Sequence, residues 1–352
     1  EPAEMTQRHF GIDVLKVLCA QLIVLHHGML YAPEQLSFMA HWPGLSAFLS
    51  EPGRWVVHVF LVMGGYLSAM ALQRVGNQNL TVLAWRRYLR LMPMFVFSLC
   101  VTVLVAWWVR HDYAPDFISP MPTWSVWFAH LTLSFDWMDL GAISAGAWYV
   151  AIDFQLYVLL AAWMLWSQGS ALASRPWIKP AVVTAATVLS MTVISKFPQL
   201  DIWAPYFISS YGLGCLVAWV NQQTISRRWV WFVLGALLFD LAFEWRGRQA
   251  FAMLAAVGLL VWPMWSRKPA SPAWLARASD LSYPLFVGHF SLLILLGSWW
   301  THHAWPQGPV SALAYLALTT ALTWGWALSL QGALNALVTF WTRHFLARTR
   351  WA

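Results

Sequence analysis

The stretch FGIDVLKVLCAQLIVLHHGMLYA, Phe10 to Ala32, is apolar except for an aspartate, a lysine, a glutamine and two adjacent histidines. Carboxylates orient, cations neutralise, and imidazoles take or give a proton near neutral pH. Ionisable groups cost roughly 2.5–3.5 kcal/mol each at the centre of a membrane span, and they usually mark a route or a reaction site. At about 100° per helical residue, Lys16 lies ~60° from Asp13 and His27 returns to within ~40° of it. His26 falls ~100° from His27, toward a different neighbour. One helical face therefore carries Asp13, Lys16 and His27, with ~21 Å of axis between Asp13 and His27. Mutual satisfaction with neighbouring helices would explain an isolated pair. Three groups on one face fit a functional tunnel better.

Counting depth along other apolar runs adds partners. In GAWYVAIDFQLYVLL, Asp153 is expected roughly 10 Å below the outer surface, about the depth of His27. A carboxylate at that depth can orient an imidazole, although a structural tie to a neighbouring helix is the competing reading. His58, near the outer start of its own span, falls in the same layer.

These residues need elements that hold them inside a membrane, and the composition supplies them. The chain has 352 residues, 60% hydrophobic and 10% charged, against about 25% charged in soluble domains. Its mean hydropathy is +0.57, and 27 tryptophans suit bilayer interfaces. Together these predict an all-α polytopic membrane protein. Apolar runs place about ten transmembrane helices near 10–31, 55–73, 91–109, 145–166, 181–196, 204–220, 229–243, 250–265, 281–300 and 310–331. With both termini cytoplasmic, fifteen of the 21 lysines and arginines fall inside: Arg8, Arg74, Arg86, Arg87, Arg90, Arg175, Lys179, Arg227, Arg228, Arg267, Lys268, Arg277, Arg343, Arg348 and Arg350. Five fall outside (Arg54, Arg110, Lys196, Arg246 and Arg248), and Lys16 lies within the first span. That asymmetry satisfies the positive-inside rule. Most acidic residues outside the spans, Glu34, Glu51, Asp112, Asp116, Asp136 and Asp139, fall on the outer side. The longest outer loop, 110–144, has room for a surface or re-entrant helix.

A net charge of +7 is spread over short loops, so it reads as an orientation signal and not as a nucleic-acid footprint. Cys19, Cys100 and Cys215 all lie in apolar runs without a Cys-x-x-Cys pair, as small buried hydrophobes do. Neither a disulfide framework nor a metal site is expected. No positive n-region and cleavage site precede the first span, which argues against a secretory leader. One transmembrane domain over 1–352, without an appended soluble domain, is expected. Nothing in the residues fixes an oligomeric state.

Five segments in order resemble the acyltransferase-3 family of integral membrane O-acyltransferases. IDVLKVLCAQLIVLHH resembles the family's opening hydrophobic-Asp-x-x-Arg with a histidine eleven residues on, Lys16 standing for the arginine and His27 for the histidine. VVHVFLVMGGYLSA is similar to VDLFFVLSGFLI, with His58 at an acidic position and Gly64 at a serine. RRYLRLMP matches Arg-x-x-Arg at Arg87 and Arg90. WYVAIDFQLYVLL resembles WSLSVEFQFYLLL, with Asp153 for glutamate. LSYPLFVGHFSLLIL resembles LSYSLYLIHFPLLIL, with His289 at the family histidine and Ser291 where proline is usual. The resemblance runs from Arg8 to about Leu296.

It implies transfer of an acyl group, usually acetyl, from cytoplasmic acyl-CoA to a hydroxyl presented at the outer face of a bacterial inner membrane, without a metal. The acceptor class would be a glycan or polysaccharide. His27 would be the general base and Asp153 its orienter. Arg86, Arg87 and Arg90 would hold the CoA diphosphate through guanidinium forks, or serve only as topology charges. Lys16 would meet the CoA end of the tunnel or neutralise Asp13, which lines it. His289 would line the route of the pantetheine arm or be a packing histidine, and His26 and His58 would meet the acceptor. Two other classes compete: a haem protein using His27, His58 and His289 as axial ligands, and a solute or glycan-precursor transporter.

Overall fold

The computed structural model describes residues 10–73, 78–169, 174–265 and 271–341. Of the expected cytoplasmic charges, Arg8, Arg74, Arg267, Lys268, Arg343, Arg348 and Arg350 lie outside the described residues. The described chain is helical, and no strand occurs among those residues. In order the helices are α1 (Phe10–Leu30), α2 (Gln35–His41), α3 (Pro43–Ser50), α4 (Pro52–Leu72), α5 (Leu80–Val109), α6 (Trp124–Leu131) and α7 (Ala147–Gly169). They continue as α8 (Ile178–Thr192), α9 (Ala204–Asn221), α10 (Arg228–Phe243), α11 (Gly247–Trp265), α12 (Ala273–His302) and α13 (Pro309–Trp341).

Each of the ten apolar runs is a helix, and seven candidate spans are long and apolar enough to cross a membrane. The remaining runs are α9, α10 and α11. Apolar side chains cover the outside as well as the inside. Leu104, Trp107 and Trp108 of α5 and Trp231, Phe232, Phe239 and Phe243 of α10 are all exposed, as expected where hydrocarbon replaces water. Cys100 shares that exposure, whereas Cys19 and Cys215 are buried as expected.

The helices gather into two compact units. The first holds residues 10–19, Glu51–Leu89 and Trp148–Ser279. Its centre is α4 against α9, where the backbones come into direct contact. A β-carbon on Gly65 would lie 1.9 Å from the Tyr211 carbonyl oxygen, and one on Gly214 would lie 2.0 Å from that of Val62. Gly65→Ala is therefore expected to destabilise the protein by about 1–3 kcal/mol through overpacking. Gly258→Ala, with nothing within 4 Å of the new carbon, should be neutral or slightly stabilising in its helix. Thermal unfolding in detergent compares the two.

Residues Ala20–Ser50, Arg90–Ala147 and 280–341 form the second unit. Met29, Phe38, Leu49, Ala312 and Leu316 make one apolar cluster, and Ala32, Leu296, Trp300 and Tyr315 another. Glu34, expected in an outer loop, is fully buried. The Trp300 indole (3.2 Å) and the Ser311 hydroxyl (3.1 Å) both donate to Glu34 Oε1, which offsets part of the cost of its burial and ties α12 and α13 to the turn after α1; Oε2 is buried without a hydrogen bond.

The 110–144 loop contains α6, capped by Thr123, whose hydroxyl accepts from the Val126 amide. His130 locks this segment. Its Nδ1 donates to the Val126 carbonyl at 2.8 Å, and its Nε2 accepts from the Ile143 amide at 3.2 Å. Burial pulls the His130 pKa below its ordinary value. A base depressed in this way stabilises the fold above its unfolded pKa of about 6.5, and that stability fades as pH falls below it. Amide protection factors across 124–144, which are corrected for the intrinsic slowing of exchange at lower pH, should therefore fall between about pH 7.5 and about pH 5 in the native protein. His130→Gln should flatten that dependence.

Candidate active site

In the second unit, α1 and α12 meet at a pair of imidazoles. His27 Nδ1 lies 2.8 Å from His289 Nε2. The rings are within 10° of parallel, with centroids 5.0 Å apart, a separation that suits rings joined edge to edge through nitrogen. His289 is fully buried, and its Nδ1 lies 2.7 Å from the Phe286 carbonyl oxygen. On α13, the Trp326 indole donates to the Ser291 hydroxyl at 3.0 Å and faces the Gly288 carbonyl at 3.2 Å. Ser291, at the position where the family usually has proline, thus braces the turn that carries His289.

An aromatic cluster lies against His27. Tyr31 packs parallel to His27 at 5.6 Å, and Phe117 and Phe290 pack on Tyr31 at 4.8 and 5.4 Å. Sequence reasoning missed these three. Tyr31 was detectable, because a residue four positions after His27 shares its face. Phe117 gave no local signal, since it arrives from the 110–144 loop. His26 turns away from the pair. It is buried, and its Nδ1 donates to the Leu49 carbonyl of α3 at 2.6 Å.

The first unit holds the other predicted residues except Arg90, the first residue of a second-unit segment. Arg87 makes an ion pair with Asp153, and its guanidinium lies 5.1 Å over the Tyr157 ring. This corrects one part of the depth count, which set Asp153 roughly 10 Å below the outer surface and Arg87 at the cytoplasmic end of its span. A direct ion pair requires one level for both. The count failed because α5 starts at Leu80, well before the apolar run, so Arg87 enters the unit along the helix instead of capping it. Gly64 also touches this pair: a β-carbon there would lie 3.2 Å from Asp153 Oδ1 and 3.4 Å from the Tyr211 ring. Two departures from the family pattern, Gly64 and Asp153, are thus neighbours. Arg86 and Arg90 are exposed, and Arg86 donates to the Gln78 side chain at 2.6 Å.

Asp13 is buried and accepts hydrogen bonds from the Ser271 and Ser279 hydroxyls, each at 2.5 Å. Ser279 and His289 share α12, while Asp13 and His27 share α1, so the same two helices are pinned twice. Lys16 is half-buried. His58 is buried in the first unit, with its Nδ1 2.8 Å from the Ser210 hydroxyl. Among the described residues, no three His, Cys, Asp or Glu side chains gather as a metal site.

An all-helical integral membrane protein with a buried, hydrogen-bonded imidazole pair is a scaffold for proton-transfer chemistry within a bilayer. A family model described as an acyltransferase domain matches residues 9–328. That is nearly the whole chain, and the protein belongs to this family of membrane acyltransferases. No curated protein and no solved structure matches it.

Proposed function

We propose that this acyltransferase moves an acyl group, acetyl in the simplest case, from cytoplasmic acyl-CoA to a hydroxyl of a glycan or polysaccharide at the outer face of a bacterial inner membrane. The observation that carries this reading is the His27 imidazole, held at 2.8 Å by His289 within an acyltransferase family domain. An alcohol is a weak nucleophile, and a neutral imidazole that takes its proton as the bond to the acyl carbon forms lowers the barrier. The thioester then releases CoA as the thiol, which carries the proton away.

Exposed Arg86 and Arg90 are open to the CoA diphosphate, whereas Arg87 is engaged with Asp153. Lys16 adds positive charge on the His27-bearing helix. In this reading the chain is one transmembrane acyltransferase domain that crosses the membrane ten times, with both termini cytoplasmic. The charge asymmetry and the ten apolar helices support that topology.

Mass spectrometry of envelope glycans from cells with and without the intact protein tests the proposal. It is paired with acyl-CoA consumption by the purified protein in nanodiscs. O-acyl substituents should disappear with the protein. Unchanged glycans and no acyl-CoA consumption would overturn the reading, and solute uptake without acyl-CoA would replace it with transport.

A further inference from the structure

We infer that His289 is the positioning residue that fixes the tautomer of His27 and leaves Nε2 of His27 as the proton-accepting nitrogen. The inference rests on His27 as the base and goes beyond it by naming the atom and what selects it.

The argument starts three residues before His289. A carbonyl oxygen can only accept, and the Phe286 oxygen lies 2.7 Å from His289 Nδ1, with the Leu285 oxygen at 3.3 Å. His289 therefore carries its proton on Nδ1. A neutral imidazole has one N–H, so His289 Nε2 bears only a lone pair. His27 Nδ1 lies 2.8 Å from that lone pair, and two lone pairs at this distance repel. The proton between them belongs to His27 Nδ1, and His27 Nε2 is left bare.

A doubly protonated His289 would reverse the bond, but it would put a cation at a site with 0% exposure among carbonyl and imidazole neighbours. Burying a charge without a counter-charge is disfavoured. The helix backbone thus sets one ring, and that ring sets the next.

This gives the pair a division of labour. When His27 Nε2 takes the acceptor's proton, the ring becomes a cation with both nitrogens protonated. Its Nδ1–H bond to His289 then becomes charge-assisted and shortens. Giving that proton to the departing thiolate returns the ring to its starting tautomer. His289 gains and loses no proton.

Nitrogen-15 NMR of histidine-labelled protein in nanodiscs reads the tautomer directly, with His27→Asn identifying the resonances. His27 should be protonated at Nδ1 and bare at Nε2. His289→Gln offers one donor to Phe286 and one acceptor to His27, so it should keep that tautomer and most of the turnover. His289→Leu offers neither. It should release the Nδ1 preference and lower kcat by about 10²-fold or more, with KM for acyl-CoA little changed.

A wild-type His27 protonated at Nε2 would overturn the role of His289 whatever the activity. So would a folded His289→Leu with normal turnover. Should that variant fail to fold, the wild-type tautomer and His289→Gln still decide. The expected tautomer together with a fully active His27→Asn would instead remove His27 as the base.

Discussion

Turnover of His27→Ala and His27→Asn is expected to fall by about 10²–10⁴-fold at matched protein levels. Asparagine is the more informative replacement: its amide can still hydrogen-bond to His289, but it cannot take a proton near neutral pH. Expression and acyl-CoA binding should be nearly unchanged, because the substitution removes a proton acceptor and leaves the positive charges of Arg86 and Arg90 in place. His26→Ala should behave differently. It loses the hydrogen bond to the Leu49 carbonyl, worth about 1 kcal/mol, and so should lower stability more than turnover. Parallel turnover and unfolding measurements on the three variants separate the neighbours. Near-normal turnover in His27→Asn would end its candidacy as the base.

The largest stability effect is expected at the Arg87–Asp153 pair. Asp153 is buried, and the Arg87 side chain is only 17% exposed. Asp153→Ala would leave a buried guanidinium without its counter-charge, a change that costs about 3–5 kcal/mol. Against a total of about 5–15 kcal/mol for typical folded proteins, that loss should show as poor recovery from detergent and a much lower Tm. Replacing both partners with apolar residues of similar volume, Arg87→Met with Asp153→Leu, should recover most of the stability. Activity of that double variant then decides whether the pair is only a strut. A stable but inactive protein would give the charges a role in transfer, and a stable and active one would deny it.

The helices were legible in the sequence because long apolar runs have few alternatives in a bilayer. The expected run at 10–31 is helix Phe10–Leu30, and that at 204–220 is Ala204–Asn221. Starts at charged residues were less legible. Helix α5 begins eleven residues before the apolar run at Leu91, since arginine stems can lie along an apolar surface while their heads find water or a partner. The short helices α2 and α3 were missed, because prolines at 43 and 52 break the run that would have announced them. His27 stood out through its register with Asp13 and Lys16. Its partner did not, because the contact joins residues 262 positions apart, and a helical wheel sees only its own helix. Asp153 stood out as a carboxylate that had to be paired, but its ion pair with Arg87 joins two helices and leaves no mark on either one's own pattern.

The division into two units has a consequence for how this protein can be altered. Three of the five boundaries fall after Cys19, Leu89 and Ser279, in the interiors of α1, α5 and α12, and a fourth falls after Ala147, the first residue of α7. No truncation or gene fusion at those points yields a free-standing half, since each cut severs a hydrogen-bonded helix and exposes backbone donors and acceptors that a bilayer cannot satisfy. Recombination between relatives should be tolerated instead at the junction between α3 and α4, where the boundary after Ser50 coincides with a gap between helices. Exchange of whole units is closed to this fold. Its variation has to proceed by single substitutions, by changes confined to loops and by recombination at that one junction.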